Sequence, residues 1–144
     1  MCVEVCPTRA IAFVDLREDF LASGTPKMDF VRGGCIMSMK CIDVCPSGAL
    51  RKITSSEAKI GTAEIDRSNC LAWTRDACLV CFKVCPVQGA ITLDETAKPH
   101  VNPEKCNGCG ICVYECPAPS YPGYAPGMKK PMAIDSQGAK RLES

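Results

Sequence analysis

Four times along this chain two cysteines stand four residues apart, with a proline directly after the second. The copies are "CVEVCP" at 2–7, "CIDVCP" at 41–46, "CFKVCP" at 81–86 and "CVYECP" at 112–117. Three of them continue into a small and then an apolar residue: "TRAI" after Pro7, "SGAL" after Pro46 and "VQGAI" after Pro86. The fourth breaks off into "APSYPGYAPG". A unit repeated four times in 144 residues constrains the architecture more than any local propensity does. Thirteen cysteines are about 9% of the chain, in the range of crosslinked or metal-stapled scaffolds. The odd count excludes a fully paired intrachain disulfide framework, and disulfide pairing gives no reason for the four prolines. Only eight residues are aromatic, so the apolar core is expected to be thin and bound metal to supply the missing stability.

Reading back from each copy gives the remaining cysteines. The last is complete, "CNGCGICVYECP", with Cys106, Cys109, Cys112 and Cys116. Three closely spaced cysteines and a fourth before proline form the bacterial ferredoxin run that binds [4Fe-4S] clusters. The third copy, "CLAWTRDACLVCFKVCP", has Cys70, Cys78, Cys81 and Cys85, with a first gap widened to seven residues. The second has Cys35, Cys41 and Cys45, with Ser38 where a fourth cysteine is expected. The first has Cys2 and Cys6 alone; the chain is expected to start inside this motif, with two further ligands ahead of Met1. All thirteen cysteines are candidate cluster ligands.

The spacing has a physical basis. A cubane cluster presents four iron corners within a few ångströms, and two-residue gaps let one loop wrap three of them. Gly108 and Gly110 permit backbone angles that turn amides towards the cluster sulfurs. The fourth cysteine, expected in the short helix that follows, reaches a different cluster, and proline ends that helical turn. Two motifs thereby exchange fourth cysteines and hold two clusters between them. Short apolar or β-branched runs, "AIAFV" (10–14), "ALRKI" (49–53), "AEI" (63–65) and "AITL" (90–93), read as strands. "KMDFV" (27–31) and "PHVN" (99–102) are expected to precede the next motif as strands, with turn-rich segments at 23–26, 54–61 and 94–98. The expected fold class is α+β: bacterial two-cluster ferredoxin-like units, duplicated, with short antiparallel strands and short helices around iron–sulfur clusters. Residues 1–117 form the polyferredoxin domain and 118–144 a Pro/Gly-rich C-terminal extension, within which "PMAID" (131–135) is a candidate return strand.

Charge is nearly balanced, with 17 basic and 16 acidic residues, so nothing points to nucleic acid or an anionic membrane surface. No apolar run approaches the ~20 residues a membrane helix needs.

These residues resemble those of the bacterial-type polyferredoxins, and in particular the MauM/NapG group of ferredoxin-type electron-transfer proteins. The four cysteine–proline motifs and the widened third motif, "IGTAEIDRSNCLAWTRDACLVCFKVCPVQGAI", carry the resemblance, which spans Cys2 to Pro117. It implies four clusters and single-electron transfer to or from a redox partner or oxidoreductase complex, within a membrane-linked redox chain. The resemblance also implies a periplasmic location after twin-arginine export when a leader precedes this segment, and a cytoplasmic one otherwise.

The sequence permits two pairings of motifs. Nested pairing, which the resemblance favours, joins Cys106, Cys109 and Cys112 with Cys6, and Cys70, Cys78 and Cys81 with Cys45. It leaves Cys35, Cys41 and Cys85 beside Ser38, and Cys2 with Cys116. Sequential pairing joins Cys106, Cys109 and Cys112 with Cys85, and Cys70, Cys78 and Cys81 with Cys116. It leaves Cys35, Cys41 and Cys6 together, and Cys2 with Cys45. Either way there are two complete sites, one three-cysteine site and one incomplete site. Three thiolates suit a [3Fe-4S] cluster, or a [4Fe-4S] cluster whose odd iron takes serine oxygen or water.

The other candidates are read as structural. His100 is the single histidine and sits on an expected strand. Trp73 is expected to pack over the widened loop and shield its cluster. Gly33 and Gly34 are turn residues, since no phosphate-binding glycine run follows a strand. Lys129 and Lys130 read as a solvated tail, and 119–127 as an extended arm. No catalytic set is visible, so the chemistry belongs to the clusters. A zinc-stapled interaction module is the competing class, since Cys-x-x-Cys pairs at 78/81, 106/109 and 109/112 would allow it. A disulfide-rich binder is a third.

Overall fold

The structure, a computed structural model, describes residues 1–75, 78–120 and 129–136. The chain divides into two compact units, Met1–Ala58 and Lys59–Ser144, so the division falls between the second and third motifs.

In the first unit, α1 (Cys2–Val5) leads into β1 (Ile11–Phe13), β2 (Pro26–Met28) and α2 (Lys40–Asp43). The strands β1 and β2 pair antiparallel, with Ile11 opposite Met28 and Phe13 opposite Pro26. Pro26 can sit in a strand because it is the first residue of β2, where its missing N–H costs little. The helix α1 packs on both α2 and β1, and Ala10, Ile11 and Ala12 are buried.

The second unit is built as β3 (Thr62–Ile65), α3 (Leu71–Thr74), α4 (Val80–Val84), β4 (Ile91–Leu93), β5 (Pro99–Val101), α5 (Ile111–Tyr114), a 3-10 turn at Ala118–Ser120, and β6 (Met132–Asp135). The strands β4 and β5 form a hairpin, with Ile91 opposite Val101. The chain then returns past the fourth motif so that β6 pairs with β3, Ile65 opposite Met132 and Thr62 opposite Asp135. The "PMAID" segment is therefore a strand of this unit. The helices α4 and α5 pack on each other, α4 on β4 and α5 on β6.

Helices of four or five residues are too short to persist alone, and the side chains that could hold them are small. The buried apolar set is dominated by alanines and cysteines, with Ile91, Leu71, Val113 and Met132 as larger members. At Gly108 (φ 73) a Cβ would run into the backbone of Gly61, so that turn admits only glycine. Gly33 is buried against the carbonyl of Thr8 with no room for a side chain; it is a close-packing glycine rather than the expected turn residue.

Three expectations need correction. The run at 49–53 is not a strand; β1 and β2 pair with each other, so no strand of its unit is left to pair with it, and Leu50 is exposed. The "KMDFV" strand begins one residue earlier and ends at Met28, where its partner β1 starts. The fourth cysteine does not lie inside the short helix. The third does, at Cys2, Cys41, Cys81 and Cys112, and the fourth follows the helix end. Cys6 and Cys85 are themselves the helix caps, with extended backbone, the conformation that a following proline imposes.

Candidate iron–sulfur sites

Two clefts of the second unit are lined by cysteines from both of its motifs. The first, about 360 Å³, is lined by Cys70, Cys78, Cys81 and Cys116. Cys70 caps the start of α3, Cys81 lies in α4 and Cys116 follows α5. The second, about 310 Å³, is lined by Cys85, Cys106, Cys109 and Cys112. Cys85 ends α4, Cys112 lies in α5, and the Cys106 thiol accepts a bond from the Ala63 amide at 3.4 Å. The remaining walls are mostly apolar, with Ile65, Leu71, Pro99 and Met132 around the first cleft and Val87, Ile91 and Ile134, beside the polar Asn107, around the second.

The electrostatics runs along the same groupings. Burial pushes the Cys81 thiol up to about 12, reinforced by the Cys70 and Cys78 thiols and, less strongly, by Cys116. Burial pushes Cys112 up to about 12 as well, reinforced by Cys109, Cys106, Cys81 and Cys85. Cys112 therefore senses both its own set and Cys81 of the neighbouring set. Burial keeps the Cys81 and Cys112 thiols protonated unless a cation centre replaces their protons. Among the described residues no three His, Cys, Asp or Glu side chains converge where a single metal ion could sit. Each cleft gathers four thiols from two motifs, a ligand set that fits an iron–sulfur cluster; the zinc module gains no support.

Within the first unit, Cys6, Cys35 and Cys41 form a third set. Burial raises the Cys35 thiol, with Cys6 adding to the effect. Cys41 is raised by burial, then by Cys35 and Cys6. Burial pushes Cys6 up most strongly, but hydrogen bonds from Thr8 and the amides of Ala10 and Ile11 together outweigh it, so this thiol lies below its ordinary value. Ser38 is exposed. Met37 (φ 54) and Met39 (φ 57) hold the left-handed angles that Gly108 (φ 73) and Gly110 (φ 72) hold in the complete motif. The loop keeps its wrapped form with residues for which that form costs roughly 1–2 kcal/mol each. The Met37 sulfur lies 3.9 Å from the Cys35 thiol.

Cys2 and Cys45 join none of these sets. Cys45 is lowered to about 7 by the Ser47 hydroxyl, 3.5 Å away, and by the Leu50 amide.

The clefts group the thiols of the second unit as the sequential pairing has them. The place that nesting gives to Cys45 is taken by Cys116, and the place it gives to Cys6 is taken by Cys85. The physical reason is local. The helices α4 and α5, consecutive around one hairpin, pack together, and closing a short connection costs less entropy than a long one.

Trp73 does not shield the cleft; Leu71 of the same helix lines it instead. The indole lies under the Arg67 guanidinium at 4.4 Å and the Lys98 ammonium at 5.2 Å, edge-on to His100 at 5.4 Å. Among the described residues, its Nε1 is buried without a hydrogen-bond partner. His100 keeps a structural role through Asp94, 3.0 Å away. The amide of Lys98, then the His100 ring and Thr96, hold that carboxyl far below the usual carboxylate range. The candidate arm at 119–127 lies mostly outside the described residues. Lys130 is not a free tail: its ammonium donates to the carbonyls of Val113 and Tyr114, both at 2.7 Å. Nothing in the sequence around it signals this.

Known proteins share the iron–sulfur character of these motifs. A family described as "4Fe-4S dicluster domain" matches residues 1–49, 34–89 and 75–119, each match spanning two neighbouring motifs. The chain is 37% identical to the ferredoxin-type protein NapG of Escherichia coli K12, over 81% of this chain and 59% of that protein. It is 32% identical to the methylamine utilization ferredoxin-type protein MauM of Methylobacillus flagellatus, over 81% of this chain and 55% of that protein. NapG of Haemophilus influenzae is also 32% identical, over 80% and 47%. The chain thus spans between about half and three fifths of the length of these relatives. Four cysteine–proline motifs, two four-thiol clefts and matches along residues 1–119 place this chain in the 4Fe-4S dicluster domain family, among relatives of the NapG and MauM ferredoxin type.

Proposed function

We propose that the chain relays single electrons through iron–sulfur clusters to or from an oxidoreductase partner. The observation that carries this reading is the pair of adjacent clefts, each lined by four cysteines drawn from two motifs. Cys70, Cys78, Cys81 and Cys116 would hold one [4Fe-4S] cluster, and Cys85, Cys106, Cys109 and Cys112 the other. When bound, the clusters supply one-electron redox chemistry. This chain's residues do the rest. The thiolates hold and space the clusters, the apolar walls exclude water, and the packing of α4 on α5 keeps Cys81 and Cys112 as neighbours across the two sites. No residue of the chain is assigned a catalytic step.

Cys6, Cys35 and Cys41 would hold a third, altered centre, either [3Fe-4S] or a [4Fe-4S] cluster whose odd iron lacks a cysteine. Cys2 and Cys45 would be the two cysteines left over from these three sites. The partner is a redox protein or an oxidoreductase complex, membrane-linked and periplasmic if the chain works as the resemblance implies. No helix among the described residues is long and apolar enough to cross a membrane.

The test is a reductive titration of anaerobically prepared protein, followed by EPR. Uptake of one electron per four-iron centre, reversed by a one-electron oxidant, supports the relay. Protein that carries iron but neither takes up nor returns electrons would refute it.

A further inference from the structure

The reduction potentials of paired clusters depend on the charges fixed around each, and only asymmetry makes two similar sites differ. Lys130 supplies such an asymmetry. It immediately precedes Pro131 and Met132, which line the same cleft as Cys116 and Pro117. Lys130 is half-buried, and its ammonium is anchored on the carbonyls of Val113 and Tyr114. The Val113 carbonyl also accepts the amide of Cys116, at 3.4 Å. One carbonyl thus ties the cation to the ligand's own backbone. Neither Pro131 nor Met132 lines the other cleft.

We infer that Lys130 sets the two four-cysteine sites apart in reduction potential, its fixed charge beside Cys116 favouring the reduced state of that site over the site completed by Cys85. This rests on the electron-relay reading above. Adding an electron makes a site more negative, and a nearby cation in a desolvated wall stabilises that charge more than the same cation in water. Lys130 is a positioning residue in this sense: it touches no ligand atom, and it acts through its field and through the end of α5.

The experiment is a mediator-buffered redox titration of the whole chain, anaerobic and read by EPR. It compares the parent with Lys130→Met, Lys130→Gln and Lys130→Arg. The glutamine variant keeps N–H donors for the two carbonyls, which separates charge from folding. Cys116→Ser and Cys85→Ser assign the two signals. The expected result is that one signal moves to lower potential in both neutral variants. At the parent midpoint its reduced-to-oxidised ratio falls at least threefold, it is the signal that Cys116→Ser alters, and Lys130→Arg restores it. The inference is overturned if neither signal moves, if both move together, or if the Cys85 signal moves instead. It is equally overturned if the arginine variant behaves like the neutral ones, since the role would then be structural. Two parent signals with no response to Lys130 leave the relay standing and remove this inference; no iron–sulfur signal in the parent removes both.

Discussion

Gly108 and Gly89 make a controlled pair. Both belong to the second unit and both hold φ at 73°. Replacing either by alanine forces an L side chain into left-handed backbone, a cost of roughly 1–2 kcal/mol. The two differ in what the new methyl group meets. At Gly89 it meets the Lys105 ammonium end, 2.9 Å away, which can swing aside. At Gly108 it meets the backbone of Gly61, which cannot move without dragging the start of β3. Overpacking of this kind adds about 1–3 kcal/mol. If the clash is relieved on opening, the difference appears in the unfolding rate, as a factor of roughly 5 to 150. The assay is the loss of visible cluster absorbance in urea without oxygen, followed as a half-life because cofactor loss makes unfolding irreversible. Gly108→Ala is expected to bleach at least about fivefold faster than Gly89→Ala. Equal rates would refute the claim that the fourth motif's loop is pressed against Gly61.

Cys85→Ser is expected to disturb the cluster signal tied to Cys106, Cys109 and Cys112 and spare the other, with Cys116→Ser doing the reverse; EPR of the reduced protein checks it, and a loss at the three-cysteine site instead would restore the nested scheme. Ser38→Cys is expected to convert the altered centre of the first unit to an ordinary four-iron site, raising iron per chain and replacing its EPR signal; an unchanged iron content would mean that this loop holds nothing. Stripping iron with a chelator is expected to remove most far-UV circular dichroism, because the core is largely alanine and cysteine and small domains of this kind depend on their metal; retention of the native spectrum would show that the apolar core suffices.

The motif positions, the ligand candidates and four of the strand cores were legible because each rests on local spacing. The cysteine–proline runs fix where helices end, and the apolar runs "AITL" and "PHVN" on either side of a turn-rich segment mark two strands. Pairing was not legible. Fourth cysteines have the same sequence signature whichever motif they serve, and only the packing of α4 on α5 decides. The run at 49–53 failed because strand character without a partner strand does not make a strand. Met37 and Met39 hid the loop's left-handed turns, since nothing about methionine suggests positive φ. Trp73 was placed over its own loop by proximity in sequence, whereas the cations Arg67 and Lys98 draw its ring away. Lys130 looked like tail because its partners lie 16 and 17 residues earlier.

The central claim is that these thiols hold iron–sulfur clusters, and the most direct measurement is the iron and acid-labile sulfide content of protein purified without oxygen. At least eight irons and eight sulfides per chain, about four of each for every complete site, are predicted. Colourless protein containing zinc, or no metal at all, would contradict it.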